Sequence, residues 1–196
     1  MERSRSHLSV RQLVVVGMLS GITIFMGLTG LGFIPIPPVK ATIMGVPVII
    51  GALIEGPMVG ALVGLVFGIF SIYQAISAPV LTSFMFYNPI IAIVPRVLIG
   101  VIAYLVYKAL KNKFKKDGIP IVISAVVGSF VNTVGVLGLT YLIYLDKYAH
   151  TFGISVNAAK GAIALVGVTN GIPEAIVCAL ITLPVVLTMN KIKKKR

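Results

Sequence analysis

Three ionisable residues stand where an apolar chain would not normally carry them. Arg96 lies inside "NPIIAIVPRVLIG", Glu174 inside "VTNGIPEAIVCALI", and Lys40 between the prolines of "FIPIPPVK" and the apolar run that follows. An ionisable group within a membrane-depth segment is costly and rare, so each is a site candidate by default. Their chemistry is charge recognition. Arg96 and Lys40, with Lys160, form a group of cations that meets only Asp146 on the same side, and so reads as an anion trap. Glu174 has Asn170 four residues earlier on the same helical face and fits equally a buried structural group or a functional one. Asn132 adds a polar group to "GSFVNTVGVLG". Pro89, Pro95 and Pro173 sit beside these residues and free backbone carbonyls locally. The segment "SAPVLTSFMFYNP" brings Ser83, Phe84, Phe86, Tyr87 and Asn88 between two prolines. Aromatic residues there fit either an interfacial belt or a lid over a small organic ligand.

Catalysis has little support. The sequence holds no H-E-x-x-H, no G-x-S-x-G and no G-x-x-x-x-G-K-[ST] loop, so ATP-driven work would need another chain. His7 and His150 fall near opposite ends of the expected fold and cannot share a metal. Cys178 stands alone in an apolar segment, which excludes an intrachain disulfide.

The elements that must position these groups are membrane helices. The 196 residues are 58% hydrophobic and 11% charged, against about 25% charged in a soluble domain. Lipid must therefore be the solvent for most of the surface. The net charge of +12 does not indicate nucleic acid, because the basic residues cluster at the ends of apolar runs. Runs bounded by charge or by Pro and Gly give six candidate spans in one domain over residues 1–196: Leu8 to Leu31, Ala41 to Ile54, Pro57 to Ile76, Asn88 to Leu110, Ile119 to Leu145 and Ala158 to Met189. The second is short enough to be a re-entrant segment instead. The first lacks an A-x-A-like cleavage site and reads as retained. Of the 17 Lys and Arg residues, all but Lys40, Arg96, Lys147 and Lys160 fall in the N-terminal segment, the fourth-to-fifth connection and the tail. The positive-inside rule then places both termini in the cytoplasm. On that count Arg96 lies about 12 Å down its helix, in the outer half, and Glu174 past the midplane.

Glycines recur at four-residue spacing. Gly56, Gly60, Gly64 and Gly68 form one ridge and Gly17 with Gly21 a second, and such ridges serve either packing within the bundle or a separate membrane protein.

The stretches "PPVKATIMGVPVIIGALIEGPMVGALVGLVFGIFS", "FYNPIIAIVPRVLIGVIAYLVY", "VNTVGVLGLTYLIY" and "TNGIPEAI" resemble the substrate-binding S components of energy-coupling factor (ECF) vitamin transporters. The P-x-K-x-T-I-M stretch, the following G-P and the glycine ridge are most similar to the pantothenate-type group, although riboflavin and pyridoxine-type S components share the general pattern. The resemblance implies an all-α bundle of six transmembrane helices in the cell membrane, acting as the ligand-binding subunit of an importer and not as an enzyme. Its pocket would open outward. Lys40 or Arg96 would pair with a vitamin carboxylate, Asn132 and Asn170 would bond amide and hydroxyl groups, and Thr42, Ser83, Phe84, Tyr87 and Asn88 would complete the site. Gly17 and Gly21 fall where many members carry alanines that contact the coupling subunit, and Gly60 and Gly64 are further candidates for that interface. The implied partners are the transmembrane coupling subunit (EcfT) and two ATP-binding-cassette ATPases (EcfA and EcfA′). A self-sufficient secondary transporter is the competing class; against it stand the lack of obvious inverted halves and Glu174 as the single plausible embedded acid.

Overall fold

The computed structural model describes residues 8–34, 41–114 and 117–194. The chain folds into helices joined by short turns: α1 (Val10–Thr29), α2 (Gly45–Glu55), α3 (Pro57–Ser77), α4 (Ser83–Phe86), α5 (Pro89–Lys111), α6 (Gly118–Phe152) and α7 (Val156–Lys194). Between α1 and α2 stands a two-stranded antiparallel hairpin, β1 (Phe33–Ile34) and β2 (Ala41–Thr42), with Phe33 opposite Thr42.

The helix ends follow from local chemistry. Ser9 and Gln12 close α1 with a reciprocal capping box, which satisfies two otherwise unpaired backbone donors. Asn88 caps α5 by accepting from the Ile90 N–H at 3.0 Å, and Pro89 fits the first turn because its missing N–H would have no helical partner there. Gly56, at φ 106°, makes the sharp joint between α2 and α3 that an L side chain would resist.

Five helices (α1, α3, α5, α6 and α7) are long and apolar enough to cross a membrane. The expected second span behaves differently. At 11 residues α2 measures about 16 Å, roughly half the hydrocarbon thickness. Every residue from Gly45 to Leu53 is buried, and the helix contacts α1, α3, α5, α6 and α7. It is the central post of the bundle. Val48, Ile49, Val59, Val63, Ile99 and Ile121 pack into one core around it.

The α3 ridge is spent inside the chain. A Cβ on Gly60 would lie 3.0 Å from the Cα of Gly100, one on Gly64 would lie 2.8 Å from the main-chain carbon of Arg96, and one on Gly68 would lie 2.8 Å from the Ala92 carbonyl oxygen. Moving four residues along α3 therefore moves four residues back along α5, the register of two antiparallel backbones in contact. In lipid, where burying apolar side chains gives no advantage, such close approach is what joins helices. Gly60 and Gly64 are corrected accordingly: they hold α3 to α5 and leave no surface for a coupling subunit.

Both described chain ends lie at one end of the bundle. Arg11 on α1 and Lys193 on α7 both bind the Glu55 carboxylate at the end of α2, at 2.7 and 3.1 Å. The other end carries the hairpin, α4 and the projecting tips of α6 and α7. At about 1.5 Å per residue the 39 residues of α7 span close to 58 Å, far more than a bilayer core needs. Glu174, the nineteenth of those 39 residues, lies level with Thr42 and Thr133, beside the hairpin.

Candidate functional site

A cavity of about 620 Å³ opens at the hairpin end. Its walls come from β1 and β2 (Phe33, Thr42), the last two turns of α3 (Ser71, Gln74), the segment through α4 (Val80 to Ser83, Phe86), α5 (Arg96) and the tip of α6 (Phe152). Volume and lining are those of a small-molecule site, mostly apolar with a few placed polar groups.

Arg96 is its only charged lining residue among the described residues. Its side chain is 3% exposed, and sequence explains how it is held. Pro95 has no N–H, so the Ile91 carbonyl four residues earlier loses its helical donor. Arg96 Nη1 fills that place, donating to Ile91 O at 2.7 Å. The guanidinium also lies 5.4 Å from the Phe67 ring centre and 4.9 Å from that of Phe86, two cation–π contacts that orient its plane. Among the described residues no carboxylate comes within 4.0 Å of it, and Nε has no hydrogen-bond partner. A buried cation with open donor capacity, facing a cavity, is built to receive an anion.

The other sequence-derived candidates divide. Thr42 and Ser83 line the cavity; the Ser83 hydroxyl accepts from the Val80 N–H at 2.8 Å and so fixes the turn into α4. Phe84 does not line it but points away into a second core with Met85, Ile91, Val136 and Tyr148, edge-on to Tyr144. Tyr87 is half exposed and donates to the Ala75 carbonyl, while Asn88 is occupied as the α5 cap. Asn132 and Asn170 are buried on α6 and α7 outside the cavity wall. Lys40 lies outside the described residues. Lys160 is exposed on α7 and not part of the wall, so the expected cation group reduces to Arg96 among the described residues.

Phe86, one of the aromatic residues offered as a lid, lines the cavity, whereas Ser71, Gln74 and Phe67 were not anticipated. Ser71 and Gln74 carry a readable signal, since two polar residues three apart on an apolar span share one face. Gln74 Nε2 donates to the Gly27 carbonyl at 3.3 Å, which ties α3 to α1 and leaves the amide oxygen to accept.

Comparison with known proteins gives this geometry its family. The family model for the ECF transporter substrate-specific component matches residues 11–186. The chain belongs to the ECF transporter S-component family. This S component is 33% identical over 168 residues to the pantothenic acid transporter PanT of Lactococcus lactis subsp. cremoris, covering 79% of this chain and 80% of that one. It is 36% identical over 121 residues to the pantothenate transporter PanT of Leuconostoc mesenteroides subsp. mesenteroides, covering 57% of this chain and 58% of that one. In fold it matches a solved S component of a bacterial ECF transporter with a TM-score of 0.56 at 21% identity, over 87% of this chain and 92% of that one. It is thus an all-helical, multi-pass membrane protein and a transport subunit.

Proposed function

We propose that this S component binds pantothenate in the Arg96 cavity and delivers it into the cell as part of an ATP-driven ECF importer. The observation that carries this is Arg96, a buried cation with open donors and no acid within 4.0 Å among the described residues, in the wall of a small-molecule cavity. Pantothenate supplies a carboxylate for it, and an amide and two hydroxyls for Thr42, Ser71, Gln74 and Ser83. Two relatives named as pantothenate transporters support the choice of vitamin. Lys40, close in sequence to Thr42, is a second cation available to the carboxylate. In this reading the whole chain is one domain with six membrane passes, α2 being a short one completed by the hairpin. Both termini face the cytoplasm, where the excess of Lys and Arg belongs, and the cavity opens outward.

Titration of the purified chain in lipid nanodiscs tests it. Pantothenate should saturate one site, and the analogue with a primary alcohol in place of the carboxylate should bind at least about 100-fold more weakly, because Arg96 would stay buried without its anion. Equal affinities, or no binding of pantothenate, would end this reading.

Coupling uses a separate surface, α1. Gly17 and Gly21 are exposed with no atom within 4 Å of an added Cβ, and Val14, Met18, Ile22 and Phe25 flank them on a bare apolar face. This is the surface for the transmembrane coupling subunit, which works with two ATPases. Replacing both glycines with leucine should leave melting temperature and ligand affinity unchanged while abolishing co-purification with the coupling complex. A loss of stability instead would mean that α1 packs within its own chain.

A further inference from the structure

The cavity wall does not use Glu174, yet this acid is 5% exposed, and no Lys, Arg or His nitrogen comes within 4.0 Å of it among the described residues. Leaving a carboxylate so buried is costly unless its oxygens are well bonded. Both are. Oε2 accepts from the Thr133 hydroxyl of α6 at 3.0 Å, and Oε1 accepts from the backbone N–H of Thr42 on β2. That N–H is available for a geometric reason. Ile43 N bonds Gly32 O across the hairpin, so the amide one residue earlier points away from β1, towards α7. The hairpin has two residues per strand and would be marginal alone. Its Thr42 hydroxyl donates to Gly32 O at 3.3 Å, which closes its base. Phe33 packs against the helical core, and among the described residues the hydrogen bond that ties the strands to the helices beyond that base is the one to Glu174.

Phe33 and Thr42 are the hairpin's share of the cavity wall. We infer that Glu174 is the latch of the ligand site: one carboxylate joins β2 to α6 and α7, holds the hairpin wall closed and so sets how long a ligand stays. Glu174 is a positioning residue. It is not itself part of the lining and acts through Thr42. The inference rests on the proposed role of the cavity, although the latch can be measured without any ligand.

The experiment places a cysteine at Ile34 in the full chain, on a Cys178→Ala background, and follows its reaction with a water-soluble maleimide in nanodiscs. Adding Glu174→Gln should speed labelling by about tenfold, since both charge-assisted bonds become neutral ones and the Thr133 hydroxyl must turn from donor to acceptor. Without the Ile34 substitution, Glu174→Gln should raise the dissociation rate of pantothenate by about tenfold while the association rate moves less than about twofold. Thr133→Val removes one of the two bonds with little change of shape and should show the same pattern at about threefold, which keeps the test alive if Glu174→Gln does not fold. Unchanged labelling in a folded variant overturns the latch, whatever the ligand does. Faster labelling with an unchanged dissociation rate overturns its role in residence time. A lower melting temperature with both rates unchanged identifies a merely structural acid. Failure of the unsubstituted chain to bind pantothenate would count against the proposed function, and the labelling result would still decide the latch.

Discussion

Arg96→Gln should lower pantothenate affinity by about 100- to 1000-fold while leaving the ligand-free protein nearly as stable as before. The asymmetry follows from what Arg96 faces in the empty cavity. Its charge is buried, its Nε is unpartnered and no acid lies within 4.0 Å among the described residues. Removing a buried cation whose acidic partner, Glu174, stands beyond 4.0 Å relieves a desolvation cost, and this offsets the lost bond to Ile91 O, the two ring contacts and that distant attraction. The net change without ligand should stay within about 1 kcal/mol. With ligand bound the balance reverses: the substrate carboxylate would be left buried without its cation, a situation that costs about 3–4 kcal/mol, or two to three powers of ten in affinity. Arg96→Lys should fall between. An ammonium keeps the charge but cannot bond Ile91 O and present a flat pair of donors at once, and it stacks less well between Phe67 and Phe86. Melting curves with and without pantothenate, beside calorimetric titration, separate the two states. If the ligand-free melting temperature collapsed in Arg96→Gln, the side chain would be a structural member of the α5 kink, and the anion site would have to be sought elsewhere.

Much of this was legible before any coordinates. Hydropathy located α1, α3, α5, α6 and α7, because a lipid-facing helix must announce itself in about 20 apolar residues. Arg96 was legible for the complementary reason that a charge at that depth requires a purpose. What could not be read depends on how helices rotate against one another. An apolar run does not say whether lipid or protein surrounds it, so the buried post α2 looked like a weak span. The tips of α6 and α7 were invisible as helix. Asp146, Lys147, His150 and Lys160 break the apolar signal, yet helix resumes after a kink at Tyr144 (φ −128°, ψ 22°) and runs to Phe152, where Gly153 at φ 63° ends α6, and α7 is helical from Val156. Asn132 and Asn170 stood out as polar groups in apolar runs, and their places outside the cavity wall were settled by packing. The role of Glu174 hung on a hairpin amide that no periodicity reveals.

The second large effect lies behind the site. Gly64→Ala should reduce the melting temperature sharply and weaken ligand binding in whatever fraction folds, whereas Gly21→Ala should do neither. A methyl group on Gly64 would come within 2.8 Å of the Arg96 main-chain carbon and 3.1 Å of the Val97 Cα. These neighbours are backbone and cannot rotate aside, so α3 and α5 must separate. Overpacking of this kind costs about 1–3 kcal/mol, and here it also loosens the contact between Gly60 and Gly100 one turn away. Function should suffer beyond stability because the displaced residue is Arg96 itself. Phe67, which stacks on its guanidinium, sits on α3 three residues beyond Gly64, so separation of the helices pulls ring and cation apart. A larger residue such as leucine at position 64 should give no folded protein. Gly21, by contrast, has no atom within 4 Å of an added Cβ, and alanine there has helix propensity in its favour. Thermal unfolding and titration of the two alanine variants, side by side, make the comparison. Equal melting temperatures would mean that α3 and α5 can part without cost, and the close-packed seam would not be what aims Arg96 into the cavity.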